Sequence, residues 1–515
     1  MSSTGSDESA LARLQSWGAA LALDSGGRPE RVDLSMVVER NAGIAEAALL
    51  SSLREIVLPP LTDDAGLQAL KGHKRLERLD LRRQRDVGSG GLSVLATLPS
   101  LTDLVLPPGV SDEDLRLLAG QLNLRRLGIF NARSVTDRGV GALTGMRSLC
   151  DLTLAGMPHL TDAAFVSVAR LGGLNRLDLS GGRLSNRALQ RIAGLSELQS
   201  LTLRGAGIPG SGLGWIALLR ALRSLDLSDT PAALADLVPL RSLTALDELS
   251  LPSGVPGSVI ATLRHCPLLR ILTIPDADLS PADLEAISGL VHLETLRLNG
   301  CAIGDGGLPA LRPLRKLREL NLSGSRITSD GLAHLEPLRK LETLNVDGSA
   351  IPLSAVIRLF TERQGRSVLD ALGAVGLVRR DGSGAVHAVH VEGTDFGDEA
   401  LLGMDALSTL RELCLADTRV TDRGLVAVSR HPNLEELHLA KCAVGDSGLA
   451  NLRGMRRLTA INLYGTRLTT AGLAHLAELP ALRHLLITDI RLKAAAVDEL
   501  KRKLPGLTVT DYSPE

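Results

Sequence analysis

The sequence predicts an α/β solenoid assembled from one short unit repeated along most of the chain. Three observations point to it. A frame L-x-x-L-x-L, with an aliphatic at position 11 and another at 16, recurs every 23–25 residues through most of the 515 residues. Aromatics supply only 2% of the chain although 44% of it is hydrophobic, so the core is built from uniform layers of Leu, Val, Ile and Ala. A compact core of that size would use many more rings to fill irregular space. Finally, a unit this short cannot bury its aliphatic face alone, whereas stacked copies bury one continuous core.

The first position of the frame falls at 53, 76, 101, 124, 149, 174, 198, 222, 246, 269, 293, 317 and 341. It resumes at 386, 410, 434, 458 and 482, and a weaker copy closes the series at Leu504, Leu507 and Val509. That makes 18 clear units, and about 18–20 with the closing and cap copies. In the unit that begins at Leu317, Leu320 and Leu322 alternate as on a strand with one face inward. Ile327, Leu332 and Leu335 then return at helical spacing. Between them, Thr328 marks a helix start, as do Thr421, Ser185 and Ser111 in other units. Acids just after it, such as Asp330, Asp422 and Asp112, favour the helix N-terminus. Each unit is therefore expected to be strand, turn and short helix.

The sequence L-x-x-L-x-L-x-x-T-x-I-T-D-x-G-L, seen from Leu410 to Leu425, resembles the leucine-rich repeat family, most closely its 24-residue bacterial and F-box-associated type. The resemblance implies a curved horseshoe with a parallel sheet on the concave side and helices on the convex side. Position 9, often Asn in that family, is here Thr230, Ser325, Ser349, Thr394, Thr418 or Thr466, with Cys301 and Cys442 as structural thiols. Small hydroxyls and thiols can fill that place, with a weaker ladder between units.

One jump of 45 residues separates 341 from 386. Within it, Asp381 to Val391 aligns without gaps with Asp24 to Leu34, at an offset of 357. Helix-like segments precede both, at Ala10–Ala22 and Ser367–Val378. The shared plan is helix, strand, Gly-rich hairpin turn and first repeat strand. A solenoid needs a terminal unit that seals its exposed core. The expected organisation is thus a cap over 1–52, a first array over 53–364, a second cap-like segment over 365–385, and a second array with its closing unit over 386–515.

Candidate contacts lie where side chains leave the concave strands, at positions 2, 3, 5 and 7 of the frame. Arg125, Arg126 and Phe130 in the first array, and Arg411, Glu412, Glu435, His438 and Tyr464 in the second, are the expected partner-binding residues. Arg and aromatic side chains are the usual anchors of interfaces, and Phe130 and Tyr464 are the best placed of the few aromatics. His390, Cys414 and His438 occupy position 5 on three successive strands. Imidazole and thiolate suit zinc, but a strict row with strands roughly 4.8 Å apart is poor tetrahedral geometry. A Cys–His nucleophile there would lack an enclosed pocket or oxyanion donors.

Several classes are disfavoured. The 57 basic and 58 acidic residues give a net charge of −1, so no bulk field favours nucleic acid or an anionic membrane. No phosphate-loop, zinc-protease or serine-hydrolase motif occurs. The polar N-terminus does not read as a secretory signal, and no apolar run is long enough to cross a membrane. Five scattered cysteines, none in a C-x-x-C pair, fit free thiols in a reducing cytoplasm. Arg-, Ala- and Gly-rich composition suggests a bacterial, GC-rich source. The expected function is a non-enzymatic, cytoplasmic interaction scaffold that needs no cofactor and recognises a protein through the concave face. An F-box-type ubiquitin-ligase subunit is the alternative, although no helical F-box segment precedes the first cap.

Overall fold

The computed structural model describes residues 4–208, 210–230, 237–510 and 513–514. The chain forms two compact units, Met1–Pro275 and Asp276–Glu515. In the first, helix Thr4–Ser16 leads into an antiparallel hairpin of Ala20–Leu23 and Pro29–Asp33. Ala10 and Leu14 of that helix are fully buried, so it closes the end of the core. Asp7 accepts the Ser51 hydroxyl at 2.8 Å and Arg13 pairs with Glu46 at 3.0 Å, which fixes the helix against helix Arg40–Leu49 and the turn after it.

Each later strand of this unit runs parallel to the one before it, from Glu55–Val57 in chain order to Ile271–Thr273. Register follows the repeat: Leu104 faces Leu127, which faces Leu152. Most strands are three residues long, with the middle side chain buried and both neighbours half-exposed. Positions 3 and 5 therefore form the open face of the sheet. Positions 1, 4, 6, 11 and 16 are core in the regular units, as in Leu410, Leu413, Leu415, Val420 and Leu425, all with no exposed surface. Phe165 and Phe396 are likewise buried.

In the second unit, Thr295–Arg297, Glu319–Asn321 and Thr343–Asn345 pair in parallel. The chain then leaves the sheet through helix Leu353–Arg358, a π-turn at Leu359–Arg363 and helix Val368–Ala374. A second antiparallel hairpin, Val378–Arg380 with Val386–His390, opens a separate seven-stranded sheet. Both hairpins close in the same way. Asp24 Oδ1 accepts the Gly26 and Arg28 N–H groups at 2.8 and 2.9 Å, and Asp381 Oδ1 accepts those of Ser383 and Ala385 at 2.9 and 3.1 Å. The segment between the sheets is bonded on either side: Gln364 Nε2 donates to Leu335 O at 3.3 Å, and Ser354 N donates to Asp395 Oδ1 at 3.0 Å. The expected boundary at 364/365 is thus a change of sheet inside the second unit, while the compact division lies at 275/276. The expected helices before the hairpins are shorter than their segments, because Ala20–Leu23 and Val378–Arg380 are strands.

The segments opposite the sheet depart from a uniform short helix. Some are α-helices capped by a hydroxyl, as Ser111 caps Asp112–Leu117, Ser185 caps Asn186–Ile192 and Ser280 caps Pro281–Ser288. Others are short α-helices without a side-chain cap, such as Asp398–Leu402 and Asp446–Leu449, or 3₁₀ turns, as at Val238–Ser242, Gly257–His265, Asp305–Leu311 and Gly331–Leu335. Pro239 and Pro309 lie within two of these, where each removes a donor. Thr328 does not start an α-helix; its hydroxyl accepts the Asp330 N–H at 3.3 Å and donates to Asp305 of the preceding repeat. A 3₁₀ segment spans the same height with fewer residues.

That bond belongs to an inter-repeat ladder. Asp398 Oδ1 accepts Thr421 N at 2.8 Å and Oδ2 accepts the Thr421 hydroxyl at 2.5 Å. Asp112 with Thr136 and Asp446 with Thr469 repeat the arrangement. Gly424 completes it, since a Cβ there would run into Asp398 Oδ1. At position 9, most hydroxyls turn back to their own strand: Thr230, Thr394, Thr418 and Thr466 donate to the carbonyl three residues earlier at 2.6–2.7 Å. Cys442 instead reaches Leu415 O of the previous repeat at 2.9 Å. Among the described residues no helix is long and apolar enough to cross a membrane.

Candidate functional site

The open face of the first unit's sheet carries two columns of different character. Position 3 reads Arg31, Glu55, Arg78, Asp103, Arg126, Asp151 and Arg176, each directly opposite the next on adjacent strands. The sign alternates at every step. Arg31 pairs with Glu55 at 3.0 Å, Arg78 donates to Glu55 at 2.8 Å, and Arg126 pairs with Asp103. Exposed pairs of this kind contribute ~0–1 kcal/mol each, so their main effect is to neutralise the face. Asp151 is the least compensated member: burial raises its carboxyl pKa, and Arg176 and Arg126 pull it back only in part.

Position 5 is mixed where it meets this ladder, with the exposed Asp80 directly opposite Val105. Val57 and Val105 are half-buried, and Gly128 lies between Val105 and Thr153 in register. A side chain at Gly128 would press within 2.9 Å of the Phe130 ring, so the ring rests where that glycine leaves room. The Arg82 guanidinium lies 5.5 Å from the ring centroid, a cation–π distance, and also pairs with Asp80 at 2.6 Å. Leu61 stands at the rim, 52% exposed, on a backbone with φ of 60°. A bulky residue rarely adopts that conformation. Together these residues line a groove of about 800 Å³.

Of the residues expected from sequence, Arg126 and Phe130 line the groove. Arg125 does not; it is exposed one position earlier, outside the alternating column. Arg82, Leu61 and Asp151 were not anticipated, and Asp80, at position 5, was not among the expected contacts. The signal for them was present: reading position 3 down the units exposes the alternation, and position 7 places Arg82 one repeat before Pro107 and two before Phe130.

In the second unit, Arg411 and Glu435 form an ion pair at 3.3 Å, and Lys441 lies 5.9 Å from the Tyr464 ring centroid. His390, Cys414 and His438 sit opposite one another in register, but do not converge as a metal site. The Cys414 thiol donates to Glu392 Oε2 at 2.9 Å. Burial, with that bond to Glu392, pushes its pKa up to about 12. That shift favours the protonated thiol over the reactive thiolate. Among the described residues the trio whose ligand atoms lie within 4.8 Å of one another is Glu412, Glu436 and His438. His390 Nε2 lies 2.9 Å from Glu412 Oε1.

A leucine-rich repeat profile matches residues 289–311, 314–335, 406–429 and 430–452. No curated protein matches the chain by sequence. Among solved structures, a leucine-rich repeat protein of Leptospira interrogans is similar over 82% of this chain and 97% of its own, at 17% identity and a TM-score of 0.46. The mouse RP105/MD-1 complex is similar over 95% and 86%, at 16% identity and a TM-score of 0.43. The plant peptide hormone receptor RGFR1, solved with RGF2, is similar over 92% and 84%, at 12% identity and a TM-score of 0.38. The matched repeats follow the same frame and strand register as the other units, and the chain is a leucine-rich repeat protein.

Proposed function

We propose that the protein is a non-enzymatic recognition module that binds a protein partner on the open sheet face of its first unit. The observation that carries this reading is the half-exposed Phe130 ring beneath Arg82, in a groove lined by Val57, Val105 and Gly128 and by acids and arginines that neutralise one another. An aromatic and an arginine in a shaped depression are the features that dominate interface energetics. Neutralised walls favour a partner that brings shape and apolar surface over one that brings bulk charge, which speaks against a nucleic acid. The buried thiols offer little competing chemistry: burial pushes Cys266 and Cys301 up to about 11 and raises Cys442 too. Five free cysteines also favour placing the chain in the reducing cytoplasm.

The test is affinity capture from source lysate with three baits: wild type, Phe130→Ala with Arg82→Glu, and Arg411→Glu with Tyr464→Ala. The expected result is a partner retained by wild type and the second-unit variant but lost by the first-unit variant. Its affinity for that variant should fall at least ~30-fold, the loss of one interface hot spot. Equal recovery by all three baits would move recognition off the sheet face. Loss only with the second-unit variant would move it to Arg411 and Tyr464.

A further inference from the structure

We infer that Glu412, Glu436 and His438 form a binding site for a divalent transition-metal ion of the zinc type on the sheet face of the second unit. Glu412 and Glu436 face each other directly on adjacent strands. Like charges in that relation repel. Elsewhere in the same column acids alternate with arginines, from Arg31 to Arg176, or stand between uncharged residues, as Glu319 does between Thr295 and Thr343 and Glu248 between Ser224 and Ile271. Glu412 and Glu436 are the only directly opposed like-charged pair in this column among the described residues. Their outer neighbours are Ala388 and Ala460, which bring no charge. Among the described residues neither carboxylate has a lysine or arginine partner; each has a histidine, Glu412 with His390 at 2.9 Å and Glu436 with His438 at 3.8 Å. The arginines that relieve the first unit's ladder are replaced here by imidazoles.

Carboxylate and imidazole together are the donor set of zinc and its first-row neighbours. Zinc–donor bonds of about 2.1 Å in a tetrahedron place donors ~3.4 Å apart. The three ligand atoms already lie within 4.8 Å of one another. Glu436, half exposed, can close the difference by side-chain rotation alone. His390 sits against the Glu412 carboxylate and positions it, as outer partners of metal ligands do. Cys414, bonded to Glu392, stays outside the set. Three protein donors leave a fourth position for water or for a donor from a bound molecule. This inference does not depend on the groove of the first unit.

The test is calorimetric titration of zinc chloride into tag-free, chelator-treated, full-length protein at neutral pH. One tight equivalent per chain is expected. Glu436→Gln and His438→Ala should each weaken it by ~100-fold or more, and His390→Gln by ~10-fold, the effect of losing an outer partner. Cys414→Ala should bind as wild type does, and the cobalt(II) form should show no sulfur-to-metal charge-transfer band. Far-UV circular dichroism in chelator checks that each variant is folded; the double variant of Glu436→Gln and His438→Ala repeats the test at one exposed and one half-buried position. Absence of binding by wild type would overturn the assignment, because the imidazoles alone would then relieve the carboxylate pair. Binding that survives the double variant, or that is lost with Cys414→Ala and accompanied by a sulfur–cobalt band, would overturn it as well.

Discussion

His431 shows how a single buried side chain acquires a fixed protonation state. It is 1% exposed, and its Nδ1 accepts the Leu407 N–H at 3.1 Å, so the proton is on Nε2. Burial, with the nearby Arg430 charge, lowers its pKa from the ordinary value. The folded state therefore resists a proton that the unfolded chain takes up near about pH 6.5. Stability from this group is full above that pH and is lost as pH falls through it. Between about pH 7 and about pH 5 the urea midpoint of wild type should fall more than that of His431→Gln. Parallel curves for the two proteins would sink the argument. From sequence, His431 carried no signal of this kind, because it lies between the helical segment and the next strand, where the repeat frame assigns no core position.

At the scale of the element, the L-x-x-L-x-L core was legible because it depends only on spacing within one unit. Leu410, Leu413 and Leu415 repeat what Leu317, Leu320 and Leu322 do, and all six are buried. The links between units were not legible in that way. The Asp398–Thr421 bonds and the Arg31–Arg176 alternation join residues 23–25 apart, and they emerge only when one position is read down successive units. The sequence marks T-D-x-G as a helix start; the structure uses the Asp to bond the next repeat's Thr and the Gly to leave room for the Asp. A mutant cycle tests this division of labour. Asp398→Ala should cost ~1–3 kcal/mol for two lost hydrogen bonds. Gly424 has helical dihedrals of −67° and −29°, so Ala should otherwise be the better residue there. Gly424→Ala alone should nevertheless destabilise by ~1–3 kcal/mol through overpacking on Asp398, yet be neutral or stabilising once Asp398 is Ala. Urea unfolding of the four proteins gives the coupling, and strictly additive effects would refute it.

Across the whole molecule, the same repetition that made the fold readable left the face obscure. The core columns are nearly invariant, so eighteen copies report one another. The face columns differ at each step, and the groove depends on a relation no frame encodes: a ring at Phe130 lying over the gap left by Gly128 two residues earlier. The metal trio was missed for the same reason. Reading position 5 alone joined His390, Cys414 and His438, whereas the convergence runs diagonally between positions 3 and 5. Repetition also sets how damage spreads. In a solenoid each repeat packs on its neighbours, and stability is approximately a sum of local terms. Leu320 is fully buried in the middle of Glu319–Asn321. Leu320→Asp would place an unpaired carboxylate in that core, at several kcal/mol. Hydrogen exchange should then lose protection from about Leu293 to Leu344, the repeats on either side, while amides of the strands between Glu55 and Thr202 keep theirs. Uniform loss across the chain would mean that the protein unfolds as a single cooperative body, and that the nearest-neighbour account of this array is wrong.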